Sequence, residues 1–181
     1  MAKELSEVFS IVGSKLIVKE IIPKTTSRSG LESGKSSVKS ESKGNVMLVS
    51  NSLSELYELG DEIYYPKFAG VEVSAYGEDY KILQDNEIFF KRKDGELIAM
   101  SDYIIVLKND KKTSSDTGVL YSKSSSKERT SGEVISKSDK VNPQIEIGNQ
   151  VVFIIHSGVE LTVDGKQIVV IQEGEILVIL K

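Results

Sequence analysis

Leu59-Gly60-Asp61-Glu62-Ile63-Tyr64-Tyr65 returns as Ile147-Gly148-Asn149-Gln150-Val151-Val152-Phe153, 88 residues further along a chain of 181. Each version is a Gly-plus-polar turn followed by a β-branched or aromatic run, the pattern of a strand entered from a tight turn. The same spacing pairs Gly30 with Gly118, Gly44 with Gly132 and Gly70 with Gly158. Their surroundings agree as well. Leu16-Ile17-Val18 matches Ile104-Ile105-Val106, Gly44-Asn45-Val46-Met47 matches Gly132-Glu133-Val134-Ile135, and Gly70-Val71-Glu72-Val73 matches Gly158-Val159-Glu160-Leu161. One spacing held over about sixty residues is an internal duplication, and it predicts two domains, 1–100 and 101–181. The join falls near Met100 to Asp102, without a Pro or Gly linker. Beyond Val73 the spacing reads as 80, with Ile88 against Ile168 and Leu97-Ile98 against Leu177-Val178. That predicts eight extra residues in the first copy, around Tyr76-Gly77-Glu78-Asp79-Tyr80.

The apolar runs are short and broken by Gly and Asp, so both copies read as all-β. The first set is Val46 to Val49, Ile63 to Tyr65, Ile88 to Phe90 and Leu97 to Met100. The second is Ile104 to Leu107, Val134-Ile135, Val151 to Ile155, Ile168 to Ile171 and Ile176 to Leu180. Leu53 to Tyr57 is long enough for one helical turn and too short to nucleate a helix alone. About five strands in fewer than about 100 residues predict a small barrel for each copy. Cores of that size are marginal and gain from packing against a neighbour or in a ring.

Composition removes several functions. There is no Cys and a single His, His156, so thiolate chemistry, Cys-based metal sites and a two-His relay are excluded. His156 follows an apolar run and precedes Ser157-Gly158, the place of a turn residue. Asp61-Glu62 and Glu78-Asp79 read as solvated turn acids. The net charge of −4 disfavours a nucleic-acid partner. No apolar run approaches the roughly 18 residues of a membrane span, and no basic start with an apolar stretch marks the N-terminus. The chain reads as a soluble non-enzyme without a cofactor or metal.

Between the first two strands of each copy lies a polar stretch, Lys24 to Lys43 and Asp110 to Ser131, each with seven Ser. Neither can bury enough surface to offset an ordering entropy of roughly 1–2 kcal/mol per residue, so both are predicted to be mobile loops. Loops of this length in a compact domain are usually functional or disordered. The second holds Gly118-Val119-Leu120-Tyr121, an apolar plug suited to folding on a partner. The first holds Ser29-Gly30-Leu31-Glu32-Ser33-Gly34-Lys35-Ser36, close to the phosphate-binding pattern G-x-x-x-x-G-K-S/T. It starts on Ser rather than Gly, and a poor helix former and then a strand follow it, so a nucleotide site is not expected.

In order, these features resemble the GroES-type co-chaperonin family. A first strand, Lys15 to Lys19, leads into a long loop with a Gly-plus-apolar triplet. A Gly-Glu-Val strand follows, here Gly132-Glu133-Val134, then a Gly-Asp strand, here Gly60-Asp61-Glu62-Ile63. Lys67-Phe68-Ala69-Gly70-Val71-Glu72-Val73 resembles the tandem, plastid-type members. The resemblance implies two GroES-like β-barrels. It implies that Gly118, Val119, Leu120 and Tyr121, with Gly30 and Leu31, dock on a GroEL-type chaperonin holding ATP or ADP, capping the chamber where a client folds. Leu31-Glu32-Ser33 has one apolar residue where the triplet belongs, so the first loop is expected to dock less well. The segments Ser50 to Glu58 and Ser136 to Glu146 are short where relatives carry a roof hairpin, which implies a reduced roof and a wider apical opening. Tandem relatives imply a homo-oligomeric ring of four chains and residence in a plastid-like organelle, or otherwise the cytoplasm. A tandem β-barrel adaptor for another protein is the alternative.

Overall fold

The computed structural model describes residues 2–22, 41–109, 129–154 and 156–180. It divides into two units, Met1–Ser101 and Asp102–Lys181. Unit 1 opens with a helix, α1 (Ala2–Val8), and continues through β1 (Lys15–Glu20), β2 (Glu41–Val49), β3 (Glu62–Pro66), β4 (Val71–Ala75), β5 (Glu78–Gln84), β6 (Phe90–Lys93) and β7 (Glu96–Ala99). Unit 2 holds β8 (Tyr103–Lys108), β9 (Arg129–Lys137), β10 (Gln150–Ile154), β11 (Val159–Val163), β12 (Lys166–Gln172) and β13 (Ile176–Leu180). The strand orders are β4-β5-β1-β2-β3-β6-β7 and β11-β12-β8-β9-β10-β13. The two barrels are built alike, and the first carries one additional strand.

The ladders move the eight extra residues. Glu62 faces Arg92 and Tyr64 faces Phe90 in unit 1, while Gln150 faces Leu180 and Val152 faces Val178 in unit 2. The spacing of 88 therefore runs to the end of β6, Ile88 matches Ile176, and the hairpin at Tyr76-Gly77 matches that at Asp164-Gly165. The additional residues are those after Lys93, where β7 folds back on β6 with Phe90 opposite Ala99. Leu97-Ile98 and Leu177-Val178 are both apolar strand pairs, so composition alone allowed the false match; strand pairing separates them. Ile88 and Phe89 also lie outside a strand, because Asp85–Glu87 form a 3-10 turn and β6 starts only at Phe90. The short helical piece near Leu53 is a 3-10 turn, Asn51–Leu53, with Tyr57 N–H bonded to the Leu53 carbonyl at 3.0 Å.

Each core repeats the other. Leu16, Val18, Val46, Ile63, Tyr65 and Ile88 are buried together in unit 1. In unit 2 Ile104, Val106, Val134, Val151 and Phe153 are buried together, with Ile176 packed against them. Unit 1 covers a second face as well. Leu5 of α1 packs with Ile17, Ala75 and Tyr80, with Phe9 and Ile11 against them. This explains the unbroken apolar run Leu16-Ile17-Val18, which is buried on both faces of β1. A seven-residue helix is too short to persist alone, so α1 depends on that burial.

Two glycines fix the turn that enters the β4 and β11 hairpins. Gly70 and Gly158 have φ of +76° and +73°, and a Cβ on either would run into the carbonyl of Ile82 or Val170 across the ladder. Both the left-handed conformation and the close approach require Gly. Gly158→Ala is expected to destabilise unit 2 by about 2 kcal/mol, combining backbone strain with displacement of β12. Denaturant unfolding of the variant checks this, and an unchanged midpoint would contradict it.

Asp61 is a correction to the sequence reading. It is almost fully buried, not a solvated turn acid. Its carboxylate accepts the Glu58 N–H at 3.0 Å and pairs with Lys91 Nζ at 3.3 Å. Lys91 also donates to the Leu56 carbonyl and lies 5.7 Å from the Tyr57 ring centroid. A buried Lys that cannot reach water needs such partners. Glu78 and Asp79 are exposed at the start of β5, bonded to Lys19 and Ser74.

Candidate functional site at the roots of the two loops

The predicted docking residues Gly30, Leu31, Gly118, Val119, Leu120 and Tyr121 lie outside the described residues, as does the phosphate-loop-like stretch 29–36. What is described are the strands from which both segments leave. The first runs between β1 and β2 and the second between β8 and β9, equivalent places on the two barrels. The roots themselves are built differently.

In unit 1 the ladder continues past β1, with Ile21 N–H on the Lys43 carbonyl at 2.8 Å. Glu20, the last residue of β1, accepts from Ser42 Oγ at 2.6 Å and pairs with Lys81 Nζ at 3.4 Å. Lys81 is nearly buried. Its ammonium also donates to the Lys67 carbonyl at 3.2 Å and lies 5.7 Å from the Tyr65 ring centroid. One cation thus ties the loop root at Glu20 to the turn at Lys67. That turn is held again by Ala69 N–H on the Pro66 carbonyl and by Gly70 N–H on Glu87 Oε1 at 3.2 Å.

In unit 2 Val169 replaces Lys81, and Lys108 at the end of β8 pairs outward with Glu160 at 2.8 Å. Glu175 keeps the role of Glu87, accepting from Gly158 N–H at 2.9 Å. His156 occupies the turn, exposed and at φ +67°. Its setting is that of a turn residue.

The sequence reading missed Glu20, Lys81 and Glu87. A signal for Glu87 was present: it and Glu175 recur at the repeat spacing, each 17 residues after its glycine. Nothing local marked Lys81, whose partners come from three other segments.

The Tyr65 hydroxyl is buried and has no partner among the described residues. Burial, and then the Glu20 charge, push its pKa above the usual tyrosine range. Tyr57 is raised by burial, by the Asp85 charge and by a hydrogen bond to Asp85 at 2.9 Å. A raised folded-state pKa on an acid favours the neutral form. The stabilisation from these tyrosines is complete below about pH 10 and is lost as pH rises above it. Tyr65→Phe places in unit 1 the residue that unit 2 has at Phe153. It removes an unsatisfied hydroxyl, so a gain of about 1 kcal/mol is expected, with a shallower loss above about pH 10. Unfolding at neutral and alkaline pH checks both, and a loss of stability at neutral pH would contradict the account.

The sequence profile of the chaperonin 10 Kd subunit family matches residues 9–91 and again residues 96–180. This chain belongs to the chaperonin 10 Kd subunit family. Among its relatives, the co-chaperonin GroES of Vesicomyosocius okutanii is 26% identical over 90 residues, covering 45% of this chain and 95% of that protein. The co-chaperonin GroES of Chlamydia caviae is 30% identical over 90 residues, covering 45% of this chain and 88% of its own. That of Geobacillus stearothermophilus is 31% identical over 49 residues, 27% of this chain and 52% of that one. A GroES of ordinary length thus corresponds to one half of this chain, which makes it a tandem member. The second match starts at Glu96, the first residue of β7, so the strand that folds onto β6 belongs by sequence to the second family repeat.

Proposed function

We propose that the chain is a tandem co-chaperonin that caps a GroEL-type chaperonin in its nucleotide-bound state and assists ATP-dependent folding. The observation that carries the reading is the double family match together with the placement of a long polar segment at the same strand junction of both barrels. A triplet such as Val119-Leu120-Tyr121 contributes roughly 5 kcal/mol on burial, at about 1.5–3 kcal/mol per side chain. Ordering about eight residues costs a comparable amount. One segment alone binds weakly and releases readily; several in a ring bind tightly through effective concentration.

The open edge of β13 supports the ring. Among the described residues β13 pairs with β10 alone, and Leu177 and Val178 are about half exposed. The equivalent edge of β6 is covered by β7. A strand from the next chain fits that edge, and four chains supply eight barrels.

The test is gel filtration of the chain mixed with a purified GroEL-type chaperonin. Co-elution with ATP or ADP and separate elution without nucleotide are expected. Binding that ignores nucleotide would favour an adaptor. Sedimentation of the chain alone gives the ring size, and a monomer at micromolar concentration would overturn the four-chain ring.

A further inference from the structure

We propose that residues 9–12 of a second copy of this chain form the strand that pairs with the β13 edge, with Val12 seated in a cleft beside it; this rests on the ring reading above and names the segment that would close the ring. The junction between consecutive repeats is visible within unit 1. There β7, which belongs by sequence to the second repeat, pairs with β6, the last strand of the first. Met100, just past β7, is buried in one cluster with Tyr57 and Ile88, and its N–H donates to the Phe89 carbonyl at 3.0 Å. The matching place in unit 2 is open. At the repeat spacing Tyr57 and Ile88 become Ile145 and Ile176. These two line a cleft of about 320 Å³ with Asn142, Leu177 and Val178. Phe90 is 0% exposed, whereas its counterpart Val178 is 50% exposed.

The same spacing identifies the occupant. Glu96-Leu97-Ile98-Ala99-Met100 corresponds to Val8-Phe9-Ser10-Ile11-Val12, and the family profile starts at residue 9 in one repeat and at residue 96 in the other. The residues that follow, Gly13 and Ser101, share a left-handed backbone, with φ of +79° and +53°. Phe9 and Ile11 pack on the second face of unit 1, while Ser10 and Val12 are exposed, Val12 at 78%. That alternation is the burial pattern of a strand with one face held by its own barrel. Residues 9–12 nevertheless belong to no strand among the described residues. The segment is anchored in place and exposes an apolar side chain where the second repeat buries Met100. Copying the β6–β7 ladder, with Ala99 opposite Phe90 and Leu97 opposite Arg92, sets Ile11 opposite Val178 and Phe9 opposite Leu180. A contact joining the start of one chain to the last strand of another is head-to-tail, the kind that generates rings.

The chain has no Cys, so introduced thiols report this contact directly. Full-length Ile11→Cys and Val178→Cys chains are mixed and oxidised, with Val71→Cys replacing Val178→Cys as the control. A disulfide-linked pair is expected from the first mixture, and none from the control or from either variant alone. Sedimentation of Val12→Asp and Val12→Met supplies the second reading. Val12 is exposed in the single chain, so both variants are expected to unfold at the temperature of the unsubstituted protein. Val12→Asp is expected to raise the concentration needed for assembly more than about tenfold, because a carboxylate would enter an apolar cleft. Val12→Met copies the residue that unit 1 uses and is expected to assemble normally. Unchanged assembly in Val12→Asp, or rings without the mixed disulfide, overturns this proposal and leaves the ring reading in place. A disulfide formed within a chain carrying both substitutions, and never between mixed chains, also overturns it. An unsubstituted chain that stays monomeric overturns the ring and this contact together.

Discussion

A chain carrying Leu120→Asp is expected to bind a GroEL-type chaperonin at least about tenfold more weakly, while Leu31→Asp costs less than about threefold. The difference follows from the two loops. Leu120 has apolar neighbours on both sides, Val119 and Tyr121, so a charge at its position disrupts a contact three residues wide. Leu31 is followed by Glu32 and Ser33, so its loss removes one side chain from a segment that is already mostly polar. Burying a carboxylate in an apolar groove adds a desolvation cost to the lost contact. In the proposed ring, several equivalent loops would multiply the effect, because avidity falls with each weakened site. Equal losses for the two variants, or a larger loss for Leu31→Asp, would contradict the assignment of the second loop as the principal contact. Titration of chaperonin ATPase with each variant reads the difference.

The second large effect concerns stability. Asp61→Ala is expected to destabilise unit 1 by about 3 kcal/mol, because it strips the buried Lys91 ammonium of its carboxylate partner. Lys91 would keep the Leu56 carbonyl and the face of Tyr57, which are neutral groups. The Glu58 N–H, which now donates to Asp61, would lose its acceptor as well. Unit 2 manages the same position without charge: Asn149 stands in place of Asp61 and Ile179 in place of Lys91. Asp61→Asn combined with Lys91→Ile copies that solution, and the pair is expected to cost less than Asp61→Ala alone. Five of the seven tyrosines, Tyr57, Tyr64, Tyr65, Tyr76 and Tyr80, lie in unit 1. Tyrosine emission in a denaturant titration therefore follows this unit. A double variant less stable than Asp61→Ala would show that the buried pair itself, rather than the stranded Lys91 charge, carries the energy.

Much of the architecture could be read from residues alone, because a duplication checks itself. The recurrence of Gly60-Asp61 as Gly148-Asn149 and of Gly70 as Gly158 marks turns that the backbone requires, and the strands between follow from β-branched and aromatic runs. The end of the first repeat was misread because Leu97-Ile98 and Leu177-Val178 are equally good strand sequences. Only the pairing of β6 with β3, and of β13 with β10, shows which is which. The helix α1 gave no sequence signal; the buried Leu5 anchors it. Asp61 and Lys81 look like surface charges in sequence because the groups that neutralise them, Lys91 for one and Glu20 for the other, are distant along the chain. The residues proposed to dock are the reverse case. Val119, Leu120 and Tyr121 stand out as an apolar run in a polar stretch, and the described structure adds the strand junctions from which such segments leave.

The most direct measurement is the steady-state ATPase of a purified GroEL-type chaperonin titrated with this chain. Saturable inhibition, lost in a Val119→Asp, Leu120→Asp variant that unfolds at the same temperature as the unsubstituted chain, is the result the account predicts. An ATPase that stays unchanged at tens of micromolar of folded chain would contradict it.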